Sequence, residues 1–297
     1  MIDINPGAIF NEGGDHAVLL LHGLSSSPLE LRFLARQFAK EEFTTCVPVL
    51  HGYSAGTPET SMEQWVEAAT AVFDALAERY ARVSVCGLSI GAALALAVAH
   101  KRPNAQALVL LSLTLAYDGW AIPWYRFLLD WVYYTPMRSR WRYREHEPFG
   151  LRNEVLRGKI ARAMQRNAMS EVGPSSISLT ALHEANRLVR TVKPGLKDVH
   201  NDTLIIHAID DETSSPRNAR FVETNIGAAF VRTVWLDDSY HMITSDNERE
   251  IVARECVSFL RESEAASGTA VRESAPVVSR ALARRLRQIA AIGKERM

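Results

Sequence analysis

Residues 17–21, Ala-Val-Leu-Leu-Leu, form an unbroken apolar run that stops at His22-Gly23. A short run without polar interruption fits a strand buried on both faces. After it, Pro28 opens a stretch in which Leu31, Leu34, Ala35 and Phe38 recur at helical spacing. The period changes again at residues 44–50, a second strand, which ends in a Gly/Pro/Ser-rich loop at 51–60. Ser61 is placed to cap a helix to about Tyr80, with Trp65, Ala69, Val72, Phe73 and Leu76 on one stripe. Residues 82–86 read as a third strand, the small-residue run after Ser89 as a helix, and 107–115 as a fourth strand. Alternation of strands with helical crossovers predicts an α/β fold with a doubly wound, mostly parallel sheet.

The alternation stops at Ala116 and resumes near residue 199. Residues 203–209 and 230–236 read as strands, 216–226 and 247–262 as helices. The expected organisation is therefore a core of residues 1–115 and 199–262, interrupted by a helical cap or lid insertion at 116–198 that has no clear strand. An insertion leaving the edge of a sheet is placed to cover a site there. It carries Trp120, Trp124, Tyr125, Phe127, Trp131, Tyr133, Tyr134, Trp141 and Tyr143. These aromatics suit either an apolar substrate pocket or the insertion's own small core. Residues 263–297 read as a linker followed by a basic helix with Val278, Leu282, Leu286 and Ile289 near one face.

Composition narrows the function classes. Among 297 residues, Lys+Arg and Asp+Glu both number 34. That balance argues against whole-molecule attraction to nucleic acid. Cys46, Cys86 and Cys256 are far apart, with neither metal-pair spacing nor a disulfide framework. A reduced, cytoplasmic setting fits them, and the first residues lack the basic and apolar regions of a signal peptide. There is no phosphate-binding glycine loop and no metal-protease spacing, so no cofactor and no metal are expected.

Candidate chemistry sits at Gly87-Leu88-Ser89-Ile90-Gly91. A serine hydroxyl needs a base to take its proton and donors to hold the oxyanion it creates. A tight turn from strand to helix, with small residues two positions either side, exposes the hydroxyl at the sheet edge. This pentapeptide follows an expected strand and precedes an expected helix.

The sequence resembles the α/β-hydrolases, and within them the bacterial carboxylesterases and monoacylglycerol-lipase-like enzymes. The likeness rests on LLLHGLSSSP at 19–28, GLSIG at 87–91, IIHAIDDETSSP at 205–216 and DSYHMIT at 238–244. It spans residues 15–262 and is weakest in the insertion. The resemblance implies Ser89 as nucleophile and His241 as base. It implies a carboxylate from Asp210 or Asp211, with the turn register favouring Asp211. Oxyanion donors would be the backbone N–H groups of Leu24 and Ile90. The implied activity is hydrolysis of carboxylic esters of an apolar acyl group. A thioesterase or lysophospholipase with the same triad is the alternative, and a binding protein that keeps the fold without turnover is a third reading.

Other candidates have plainer readings. His22 is expected to be structural, bonding backbone near the oxyanion turn. His51 and His207 fit simple hydrogen-bonding roles at strand ends. Cys86 reads as core packing. Residues 138–166 carry nine Arg/Lys against three Asp/Glu, a net +6. Arg138, Arg140, Arg142 and Arg144 are either a solvated face or the site of an anionic group such as a phospholipid head, CoA or an acyl-carrier protein. Residues 272–297 carry seven Lys/Arg and two Glu, a net +5, which leaves docking or an anionic membrane surface open. The expected partner is a small-molecule ester, lipid-like or carrier-linked.

Overall fold

Successive residues of the central strands enter opposite cores, which is why these strands read as unbroken apolar runs. The computed structural model describes residues 7–123, 131–135, 138, 141–166, 169–170, 173–174 and 176–266. In it, β1 (Ile9–Asn11), β2 (His16–Leu21), β3 (Thr44–Val47), β4 (Arg82–Leu88) and β5 (Leu108–Leu111) are followed by four short strands. These are β6 (Arg142–Arg144), β7 (Met169–Ser170), β8 (Gly173–Pro174) and β9 (Ser176–Ser178). Then come β10 (Thr203–Ala208) and β11 (Val231–Leu236). The main sheet has seven strands in the order β1-β3-β2-β4-β5-β10-β11. Only β1 runs antiparallel, pairing Ile9 with Val47.

The helices are α1 (Arg32–Lys40), α2 (Met62–Ala77), α3 (Ile90–Lys101), α4 (Glu154–Arg166), α5 (Leu179–Val192), α6 (Arg217–Asn225) and α7 (Arg249–Ala266). Leu19, Leu21, Val85, Leu108, Leu110 and Ile205 face a core closed by α2, α3, α5 and α6. Val18, Leu20, Cys86, Leu88, Val109, Leu111, Leu204 and Ile206 face a second core closed by α1 and α7. The sheet is thus wound on both faces, as the pattern implied. From β2 the chain moves outward to β3, then returns to the other side of β2 as β4. The crevice at their carboxyl ends is the switch point where α/β sheets place ligands.

Several boundaries differ from the sequence reading. Edge strand β1 was not expected; its three residues are half-buried and take their pairing wholly from β3. The stretch opened by Pro28 begins as a 3-10 turn at Pro28–Leu31, and α-helix follows only from Arg32. The last helix runs on to Ala266, through residues expected to be linker. Tertiary contacts hold that extra turn: Gln106 donates to Ser263 at 2.9 Å, and His16 Nδ1 lies 2.6 Å from Glu264. Residues 267–297, with the expected basic helix, lie outside the described residues.

The interval 116–198, expected to lack strands, contains two small antiparallel ladders, β6 with β9 and β7 with β8. They are two or three residues long, too short to leave an alternating signature. At its far end, α5 buries Ala181, Ala185, Leu188 and Val189 in the same core as α2 and α3. Glu184 of α5 accepts the N–H of Met62 at 2.9 Å, so it satisfies one of the open amides at the start of α2. Residues 179–192 are therefore part of the sheet body's packing. Of the aromatics singled out above, Trp120, Trp131 and Tyr134 are exposed, while Tyr133 stacks on His183 at 3.6 Å. Trp124, Tyr125 and Phe127 lie outside the described residues.

Trp65 anchors α2. It is buried against Tyr53 (5.2 Å between ring centroids) and donates from Nε1 to Gly52 O at 3.0 Å. Trp65→Ala is expected to lower the unfolding free energy by about 3–5 kcal/mol, and Trp65→Phe by clearly less. Urea unfolding measures both. A loss below about 1 kcal/mol for Trp65→Ala would contradict the packing described.

Candidate active site

The site begins with a backbone constraint. Ser89 has φ 58° and ψ −121°, a conformation costly for any residue with a side chain. The flanking glycines are required by close approach. A Cβ on Gly87 would lie 2.1 Å from Gly91 O, and one on Gly91 2.3 Å from Leu21 O. Nothing larger than hydrogen fits at either position. The turn is fastened by Ser89 N–H donating to Leu111 O at 2.9 Å and Ala92 N–H to Ser89 O at 3.0 Å.

The other groups stand on loops that follow neighbouring strands at the same edge. His241 lies in the loop between β11 and α7. Its Nε2 is 2.9 Å from Ser89 Oγ, and its Nδ1 is 2.8 Å from Asp211 Oδ2. Asp211 follows β10. A carboxylate only accepts, so Nδ1 carries the proton toward Asp211, and neutral Nε2 accepts from the Ser89 hydroxyl. The other oxygen of Asp211 accepts the N–H groups of Thr213 (2.9 Å) and Ser214 (2.7 Å). Asp210 points outward and accepts from Arg152 Nη1 at 3.0 Å. The structure thus joins Ser89, His241 and Asp211 in one chain of hydrogen bonds, and leaves Asp210 out of it.

Backbone donors near the serine can be accounted for one by one. Gly23 N–H goes to Glu30 Oε2 (2.5 Å), Ser25 N–H to Tyr53 O (3.2 Å) and Ser26 N–H to Gly23 O (3.2 Å). Among the described residues, no acceptor takes Leu24 N–H or Ile90 N–H. These are the two amides that the sequence singled out.

His22 behaves as a structural residue. Its Nδ1 donates to Gly23 O at 2.8 Å and its Nε2 accepts from Ser54 Oγ at 2.7 Å. Burial pushes it down to about 4, so it stays neutral. His207 is fully buried, donates from Nε2 to Ser214 O at 2.8 Å, and lies 3.6 Å from Asp211 Oδ2. It braces the turn that holds Asp211. His51 is exposed. Burial raises the Cys86 thiol above its ordinary value, which suits packing rather than reaction.

Several residues around His241 were not anticipated. Glu212 Oε2 accepts the backbone N–H of His241 at 3.0 Å, and Ser112 Oγ donates to His241 O at 2.6 Å. Asp246 accepts from the amides of Tyr240, Arg152 and Asn153, pinning the histidine loop to the segment before α4. Glu30 and Glu145 also feel the charge of His241. Burial raises Glu30 to about 7; the Gly23 N–H and the charge of His241 oppose it. Burial raises Glu145 and Glu212 to about 7 as well; Glu212 adds to the first and Asp211 to the second. Burial alone would lower His241. The carboxylates of Asp211, Glu212 and Glu30 outweigh it and raise the imidazole to about 9. For Asp211 burial pushes upward, yet His241, His207 and the Ser214 N–H hold it below the ordinary carboxylate range. A Glu beside an Asp, or in a helical stripe, has no mark in sequence that it will end up here.

The arginines read above as either a solvated face or an anion site are described in part. Arg138, Arg142 and Arg144 are exposed, and Arg142 donates to Ser176 Oγ at 3.0 Å. Arg140 lies outside the described residues. Among the described residues, no group of three or more His, Cys, Asp or Glu is arranged to hold a metal ion. No described helix is long and apolar enough to cross a membrane.

The chain is similar to known proteins along most of its length. A carboxylesterase from Bacillus subtilis (strain 168) is 22% identical over 263 residues, 87% of this chain and 98% of its own length. A thermostable monoacylglycerol lipase from Bacillus sp. (strain H-257) is 25% identical over 253 residues, 84% of this chain and 92% of its own. Among solved structures, a metagenome-derived lipolytic enzyme superposes with a TM-score of 0.73 at 23% identity, covering 88% of this chain and all of that one. The family model described as serine aminopeptidase, S33, matches residues 14–248, and the chain therefore belongs to that family of α/β-hydrolases.

Proposed function

We propose that the protein is a serine hydrolase that cleaves carboxylic esters of an apolar acyl group through Ser89, His241 and Asp211. The observation that carries this reading is the unbroken hydrogen-bond chain Ser89 Oγ–His241 Nε2 (2.9 Å) and His241 Nδ1–Asp211 Oδ2 (2.8 Å). His241 takes the proton as Ser89 attacks the acyl carbon, then gives it to the departing alcohol. Asp211 holds the tautomer and stabilises the imidazolium. The amides of Leu24 and Ile90 hold the oxyanion, each worth on the order of 3 kcal/mol of barrier. Water then releases the acyl group, with His241 again as base. The likeness to a carboxylesterase and a monoacylglycerol lipase supports ester cleavage.

The carboxyl groups facing His241 favour a neutral ester over an anionic one. Half-buried Glu145 has no hydrogen-bond partner among the described residues. Protonated below about 7, it can both donate and accept, which suits an ester whose alcohol carries further hydroxyl groups.

Four outcomes are expected. Ser89→Ala and His241→Ala each lower kcat by about 10⁶-fold, and the double variant loses little more. A loss under tenfold rejects the triad. Because His241 is raised above its ordinary 6.5, kcat/KM climbs with pH through the neutral range toward about 9. Glu212→Gln removes a carboxylate that raises His241, so this limb moves to lower pH; no movement, or a shift upward, contradicts the assignment. Finally, on a panel of esters with one acyl chain, Glu145→Leu loses rate on monoacylglycerols while keeping it on ethyl esters. Equal loss on both shows that Glu145 does not contact the alcohol.

A further inference from the structure

The turn after β2 holds the Leu24 N–H by fixing two successive peptide planes. The plane between His22 and Gly23 is held on both sides: Tyr53 Oη donates to His22 O at 2.8 Å, and Gly23 N–H donates to Glu30 Oε2 at 2.5 Å. The next plane, between Gly23 and Leu24, is held on its carbonyl side alone, by His22 Nδ1 (2.8 Å) and Ser26 N–H (3.2 Å). Its other end is Leu24 N–H, which has no acceptor among the described residues. Gly23, the joint between the planes, has the widest backbone freedom of any residue type. Glu30 closes the space on its side-chain face, since a Cβ built on Gly23 would lie 3.0 Å from Oε2.

Glu30 stands in the 3-10 turn Pro28–Leu31 and is 4% exposed. A carboxyl is costly to bury unless it is hydrogen-bonded. Thr244 Oγ1 donates to its backbone carbonyl at 3.4 Å, so the same residue is tied to the loop that carries His241. Burial raises the carboxyl to about 7, and in either protonation state an oxygen remains to accept Gly23 N–H.

We propose that Glu30 is a positioning residue for the oxyanion donor: its carboxyl pins the His22–Gly23 peptide so that the next peptide presents Leu24 N–H to the tetrahedral intermediate at Ser89. This rests on Ser89 being the nucleophile. Glu30 touches no reacting atom and acts through the geometry of the turn. A donor displaced by a fraction of an ångström still lets substrate bind but stabilises the oxyanion less, so the effect falls on kcat.

The test uses the full chain, a p-nitrophenyl ester, and active sites counted by a serine-directed fluorophosphonate. Glu30→Leu removes the acceptor and is expected to lower kcat per labelled site by about 10–100-fold, with KM within about threefold. Glu30→Gln keeps an acceptor oxygen and, with all variants compared on the plateau above the His241 limb, is expected to stay within about threefold of wild type. A wild-type kcat per labelled site in Glu30→Leu overturns the proposal, as does an equal loss in Glu30→Gln. Should Glu30→Leu not fold, Gly23→Ala presses on the same contact from the other side. It is expected to reproduce the loss in kcat, and a wild-type kcat there overturns the proposal equally. Failure of the probe to label wild-type Ser89 is a separate result, which rejects the hydrolase reading itself and this proposal with it.

Discussion

The conformation of Ser89 is the constraint on which the rest of the site depends. Its φ of 58° swings the hydroxyl out beyond the end of β4, where His241 can reach it. The strain is tolerable only because α3 begins directly beneath, with Gly91 lying against Leu21 O and His22 O. That contact explains the alanines that follow: Ala92, Ala93 and Ala95 are fully buried, and larger side chains would lift α3 from the sheet. One close backbone approach therefore fixes the Ser89 hydroxyl, the Ile90 amide and the fit of α3 against the end of β2.

A second theme is the charge around His241. Asp211 is held ionised by amides and by the imidazole it serves, whereas Glu30, Glu145 and Glu212 hold protons up to about 7. The latter two pay the desolvation cost of a carboxylate by staying protonated through much of the neutral range, and Glu30 does likewise. Between about 7 and 9 these glutamates are ionised while the imidazole is still charged, so each favours the charged form of the other.

The sequence made the sheet legible because β2, β4, β5 and β10 are apolar on both faces, and no other element type needs that pattern in so short a run. Ser89 was legible because its turn needs glycine at two fixed positions. β1 was not, since three half-buried residues on an edge carry no period of their own. The last turn of α7 was hidden for a different reason. Its residues are small and polar, and its hold comes from His16 and Gln106, far away along the chain. Glu30 and Glu212 are harder still. In sequence each is one more acidic residue beside a helix or a turn, and only the folded chain shows a carboxyl closed over a single amide. Asp211 and Asp210 differ by one position, and the direction of the turn after β10 separates them.

The clasp between His16 and Glu264 has a consequence for the molecule's polarity. His16 opens β2, while Ser89 and its partners gather where the strands end, roughly 20 Å away along a strand of six residues. Helix α7 thus delivers the chain at Ala266 to the pole opposite Ser89. A domain, tag or solid support joined at Ala266 itself would start from the far side of the sheet, with the length of a strand between it and the Ser89 hydroxyl.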